Sequence, residues 1–207
     1  PEAKLAGWRI VNFGDLELRV ELRGTEGSAL LNQPSGSIEV TRVSRGGFFY
    51  VDSLENGGRI VKADGAPDFV EYVLRAKRID TSGSVESMNG ILRLLTFNEL
   101  GGEPEPMEWR GSSRAVPTAL VAISSRAVLR EGTTFSGPVE LGGVTRLDTS
   151  IDADHITVSS SIEGSGTLRG TRELTLRFGS LRGNAVIDVA PGAHARRPLD
   201  GGTFVLA

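Results

Sequence analysis

Val121-Ala122-Ile123, Val139-Glu140-Leu141, Ile156-Thr157-Val158 and Leu174-Thr175-Leu176 repeat one apolar-x-apolar triplet at a nearly constant interval. A further apolar column, Phe135, Ile151, Leu168, Ile187 and Leu206, runs beside it at a similar spacing. Self-similarity at so short a period marks stacked supersecondary units rather than one closed core. No single coil buries its own apolar side, so each must lie on its neighbours. Residues 119–207 therefore read as a parallel β-solenoid of about five short coils, at 119–136, 137–153, 154–172 and 173–190, with a shorter turn ending in Thr203-Phe204-Val205-Leu206. Charged residues keep the register. Glu163 precedes Arg182 by the same interval as Arg169 precedes Asp188, and that interval is the local repeat. Each pair is therefore expected to stack on neighbouring coils.

Upstream the repeat blurs. Residues 1–100 read as a β-rich module, either sandwich-like or a degenerate solenoid. Its sharpest strand is Leu16-Glu17-Leu18-Arg19-Val20-Glu21-Leu22-Arg23, a strict alternation with the aliphatics facing a core. Further strands are expected at Trp8–Val11, Ser37–Val43, Phe48–Val51, Gly58–Lys62, Phe69–Arg78 and Ile91–Phe97. The clusters Asn32-Gln33-Pro34-Ser35-Gly36, Glu55-Asn56-Gly57-Gly58 and Ala63-Asp64-Gly65-Ala66-Pro67 read as turns. A faint echo through Leu30, Phe49, Val70 and Ile91 is the sign of the degenerate-solenoid alternative, set against a small sandwich or α+β module. Gly101-Gly102-Glu103-Pro104-Glu105-Pro106 interrupts regular structure, and residues 101–118 read as a linker. The fold class is all-β.

Composition excludes several functions. The 207 residues carry 23 basic and 26 acidic side chains, a net charge of −3, so no global basic field attracts nucleic acid. The absence of cysteine removes disulfides, thiol catalysis and cysteine-ligated zinc. No apolar run approaches the ~18 residues of a membrane span, and no leader of charged-then-apolar pattern is visible. The opening Pro1 fits removal of an initiator methionine, so synthesis without a signal peptide is the expectation.

The densest cluster of reactive side chains is Asp148, Asp152, Asp154 and His155. Parallel β-helix lyases and hydrolases use acidic clusters on one outer face, for calcium or for paired-carboxylate chemistry. Here no matching acidic position recurs at the coil period, and the residues read as a corner hydrogen-bonding its own backbone. His155 and His194, the only histidines, have no ligand-spaced partner. The arginines of Arg75-Ala76-Lys77-Arg78 and Arg196-Arg197 form small anion-binding candidates without the interleaved aromatics of a single-strand binder. Trp8, Trp109, Phe48, Phe49 and Tyr50 read as lids on a core, with carbohydrate or protein contact as the alternative. Phosphate loops, dinucleotide fingerprints, zinc-protease helices, nucleophile elbows and calcium nonapeptides are all missing. No catalytic, cofactor-binding or metal-binding residue is assigned, and no cofactor is expected.

These readings point to a non-enzymatic structural subunit of an extended assembly, a phage virion fibre, spike, decoration or baseplate component. Its partners would be other protein subunits, in a trimer by self-association, with carbohydrate as a candidate ligand, no nucleic acid and no membrane insertion. The alternative is a bacterial surface adhesin or pilus-like binding module. Ser161-Ile162-Glu163-Gly164-Ser165-Gly166-Thr167-Leu168 resembles the Gly/Ser/Thr-rich stacks of autotransporter and adhesin passengers. A β-helix polysaccharide lyase or hydrolase is the outsider. Either leading reading places the chain on a virion or a cell surface.

Overall fold

The computed structural model describes residues 3–19, 22–41, 47–63, 71–98, 103–197 and 204–206. All are strand, turn or connection, and every strand pairing is parallel. The first turn is β1 (Ala3–Ala6), β2 (Arg9–Asn12) and β3 (Asp15–Leu18). The second is β4 (Leu22–Thr25), β5 (Ala29–Asn32) and β6 (Ser37–Val40). Long strands then bend across one corner: β7 (Gly47–Asn56) is completed by β8 (Arg59–Lys62), and β9 (Glu71–Thr81) by β10 (Ser84–Ser87). Next come β11 (Gly90–Thr96), β12 (Met107–Trp109) and β13 (Ser112–Ala115), followed by β14 (Ala119–Ile123) and β15 (Ala127–Leu129).

In the C-terminal half the bend moves to another corner. The strands are β16 (Thr134–Leu141), β17 (Thr145–Leu147), β18 (Ile151–Val158), β19 (Ile162–Gly164), β20 (Thr167–Leu176), β21 (Gly179–Gly183) and β22 (Val186–Val189). The last are β23 (His194–Arg196) and β24 (Phe204–Leu206). Each strand lies over its counterpart one turn earlier, giving a triangular solenoid with three faces. Face A stacks β1, β4, β7, β9, β11, β14, β16, β18, β20 and β23; face B starts from β2, and face C from β3.

The apolar columns seen in the sequence are real strand pairings. Val121 pairs with Val139, Val139 with Ile156 and Ile156 with Leu174; Ile123, Leu141, Val158 and Leu176 pair likewise. Both columns continue upstream, as Tyr72–Leu92–Val121 and as Phe49–Leu74–Leu94–Ile123. The solenoid therefore runs through residues 3–98 as well, the degenerate-solenoid alternative. The intervals there are longer and uneven because more residues separate the strands between Val40 and Gly47, between Lys62 and Glu71 and between Thr96 and Met107. That lengthening hid the repeat. Residues 103–118, expected as linker, instead contribute β12 and β13, with Trp109 fully buried.

Several registers differ from expectation. Phe135 pairs with Ala153 rather than Ile151, and a register shift follows between Phe135 and Pro138. Leu206 pairs with Leu181 on face B, not with Ile187 on face C. The alternating stretch from Leu16 is not one strand: Leu18 ends β3 on face C, and Leu22 begins β4 on face A. Alternation alone cannot register a corner. In the echo, Leu30 and Phe49 lie on different faces, while Val70 falls outside the described residues.

Polar residues fix one corner inside the N-terminal half. Asn12, Asn32 and Asn56 stack at the inner end of face B and are buried. Each amide donates upward, Asn12 Nδ2 to Asn32 Oδ1 at 2.9 Å, Asn32 Nδ2 to Asn56 Oδ1 at 2.8 Å, and Asn56 Nδ2 to Thr81 Oγ1 at 2.9 Å. The second N–H of each turns to a main-chain carbonyl, of Ser37, Arg59 and Ser84. Both donors of each amide are thus satisfied, as burial demands. Beside this ladder stack Gly36, Gly58, Gly83 and Gly111. A Cβ on any of the last three would strike the carbonyl oxygen of the glycine one turn earlier.

Two substitutions test this architecture. Ile156, 1% exposed between Val139 and Leu174, becomes an unpaired buried charge in Ile156→Asp, at an expected cost on the order of 3–5 kcal/mol. Asn32→Ala orphans an Asn12 donor and the Asn56 acceptor, and about 1–3 kcal/mol is lost per orphaned group. Urea unfolding of each variant reads both values, and wild-type midpoints would disprove the stacking.

Candidate functional site

With the columns pointing inward, the alternate residues of each strand face outward, also in register. On face A, Arg23 lies over Tyr50 and Tyr50 over Arg75. Phe97, just past the end of β11, leans onto Tyr50 with ring centroids 4.7 Å apart and planes tilted by 41°. The Arg23 guanidinium sits 5.8 Å from the Tyr50 ring centre, and that of Arg75 sits 5.2 Å from the Phe97 ring centre. Tyr50 points outward yet is only 7% exposed, because these neighbours cover it. Phe48 and Asn98 complete a cleft of about 410 Å³. Cation–π contacts of this kind contribute ~0.5–2 kcal/mol, more where water is displaced.

Arg75 stands apart from other partly covered arginines. Its Nε is shielded from solvent and has no hydrogen-bond partner, and no carboxylate among the described residues pairs with it. Its neighbours on the same face are neutralised: Lys77 by Asp52 at 2.8 Å, and Arg93 by Glu71. The arginine-rich tetrapeptide therefore does not form one patch. Ala76 faces the core, Arg75 faces the cleft, and Arg78 lies past the corner, 3.9 Å from Asp80. Arg196 of the second patch pairs with Glu173 at 3.5 Å.

Elsewhere the outward columns alternate charge. Arg130 forks onto Glu108 at 2.8 and 3.2 Å and also reaches Asp148, which Arg146 holds at 2.8 Å. The bond from Glu108 raises the Arg130 pKa further above its ordinary value. On face C, Arg59 grips both oxygens of Glu86 at 2.9 and 3.0 Å. Hydrogen bonding from Arg59 outweighs the opposing effect of burial and lowers the Glu86 pKa below the usual carboxylate range. Arg169 and Asp188 meet as expected, at 3.3 Å. Glu163 stacks over Arg182 in register, but its ion pair is with Arg126, at 3.5 Å.

The acidic cluster is dispersed by the corner that runs through it. Asp148 is taken up by Arg130 and Arg146 on face B. Asp152 faces outward on face C opposite Arg169, while Asp154 sits at the bulge and accepts from Thr171 Oγ1 at 2.9 Å. His155 emerges on face A, in one outward column with Glu173 and His194. Among the described residues no group of three acidic or histidine side chains is placed to hold a metal ion.

The aromatics divide. Trp109 and Phe49 are fully buried, and Trp8 packs edge-on against Phe49 at 6.4 Å, so these close the core as read from the sequence. Phe48 and Tyr50 line the cleft instead. Phe97 and the pairing of Arg23 with Tyr50 and Arg75 were not legible, since the unequal intervals between them match no regular period. Lys62 was also missed. It occupies an inward column between Val40 and Ser87, is 1% exposed, and donates to the Asn89 carbonyl oxygen.

No family model, no curated protein and no solved structure matches the chain. Among the described residues no helix is long and apolar enough to cross a membrane.

The Arg59–Glu86 fork carries a pH signature. A carboxylate whose pKa is lowered by folding stabilises the native state above its unfolded pKa and loses that contribution as pH falls through the folded value. Glu86→Gln is therefore expected to melt below wild type at neutral pH. The gap should begin to narrow as pH falls below the ordinary glutamate value of about 4.3 and close only once the folded carboxylate is protonated, at a pH lower still. A gap that persists in acid would assign the loss to packing instead.

Proposed function

We propose that the chain is a non-enzymatic structural subunit of an extended assembly, namely a virion component of the fibre, spike, decoration or baseplate kind, at an extracellular surface. The observation that carries this reading is the parallel stack, which takes in every strand of the described residues. Its interior columns are largely aliphatic, and several outward carboxylates, among them Glu108, Asp148 and Asp188, pair with arginines on a neighbouring turn. A surface so neutralised supports a building element better than a site that needs converging reactive groups. Other protein subunits are its partners, and a trimer is the expected state.

The cleft on face A favours a second reading, a surface adhesin or pilus-like binding module, because it offers cations and aromatic rings together. An antibody against the chain separates the two by labelling virions or the bacterial envelope. The assembly reading itself is tested by analytical ultracentrifugation of the full chain over a wide concentration range, with negative-stain electron microscopy. Trimeric elongated particles are expected. A stable monomer at every concentration would overturn self-assembly.

A further inference from the structure

The cleft on face A points to a specific ligand chemistry. Its floor is Tyr50, its walls are Phe97 and Phe48, and the Arg75 guanidinium is held against the Phe97 ring. Holding arginine this way fixes a planar fork at low entropic cost, and such a fork matches a carboxylate bidentately. Arg75 has no carboxylate partner among the described residues, whereas Arg59, Arg93 and Arg130 each have one. Arg23 adds a second positive charge over Tyr50, and the Asn98 side chain lies at the rim. The volume of about 410 Å³ falls within the range of small-molecule sites and holds one or two sugar rings.

We propose that this cleft binds a carboxylate-bearing sugar, a uronic-acid unit of an acidic saccharide. The carboxylate pairs with Arg75, the C–H face of the ring lies against Phe97 and Phe48, and a hydroxyl meets Asn98. Single-stranded nucleic acid also combines anions with stacking, but it needs a basic groove that follows the backbone. Among the described residues the nearest further cations, Lys77 and Arg93, are bound to Asp52 and Glu71. The proposal stands apart from the assembly reading, because a particle that binds no sugar would still assemble.

The test is titration of the full chain with glucuronate, alongside glucose, acetate, inorganic phosphate and a single-stranded oligonucleotide. Binding is followed by the aromatic NMR resonances of Tyr50 and Phe97. Glucuronate should saturate with a dissociation constant on the order of 1 mM or tighter, and glucose and acetate should bind roughly tenfold more weakly or not at all. Arg75→Gln should lose about tenfold in affinity with its melting temperature unchanged. If that variant does not fold, Arg75→Lys, which keeps the charge but not the fork, is expected to weaken glucuronate binding in the same direction. The proposal fails if glucuronate does not saturate, or if phosphate or acetate binds as tightly. It fails also if the oligonucleotide is preferred, or if the Arg75 variant that folds binds like wild type.

Discussion

Parallel, in-register backbone pairing is the constraint from which the other features of this molecule follow. Once each strand lies about 4.8 Å from its counterpart one turn away, every side chain has a like-placed neighbour before and after it. An aliphatic residue placed inward, such as Val139 between Val121 and Ile156, is buried by that fact alone. A charge placed outward must find an opposite charge in its column or remain exposed. A residue at a corner must tolerate another corner residue directly against it, which only glycine does at Gly83 and Gly111.

The same constraint explains why the buried asparagines form a column. One buried asparagine amide would leave donors unmet; stacked on Asn12 and Asn56, Asn32 meets one need with its neighbour and the other with a main-chain carbonyl. The ladder stops where the column changes to Thr81 and then Trp109, whose indole N–H is met by the Gly111 carbonyl at 2.9 Å. Lys62 solves the same problem singly, by reaching from an inward position to the Asn89 carbonyl. The asparagine ladder and Lys62 both sit at strand ends, where carbonyls left over from the sheets are in reach.

How far the fold was legible depended on whether corners kept their length. From Val121 to Leu176 the corners barely vary, so the columns could be read from spacing, as could the Arg169–Asp188 pair. Upstream, the chain between stacked strands grows and shrinks from turn to turn. Phe49, Leu74 and Leu94 then form a column whose spacing matches nothing in the downstream half. Leu16 to Leu22 shows the converse failure, a regular alternation that continues across a corner and so belongs to two faces. The cleft was less legible still. Tyr50 and Arg75 acquire their meaning only from the register, and Phe97 from its position just beyond a strand end.

The irregular corners and the cleft occupy the same part of the molecule. The longer sequence intervals precede β7 and β9 and follow β11. Those strands, with β4, carry Arg23, Phe48, Tyr50 and Arg75, and Phe97 follows β11 directly. In a solenoid, insertions cost little at corners because the stacked strands need not shift, and they gather on the face that varies for function. The C-terminal turns show the opposite economy: even columns at nearly constant intervals from Val121 to Leu176. Even stacking fills the core in one half, while in the other half the register sets rings and guanidinium groups together around Tyr50.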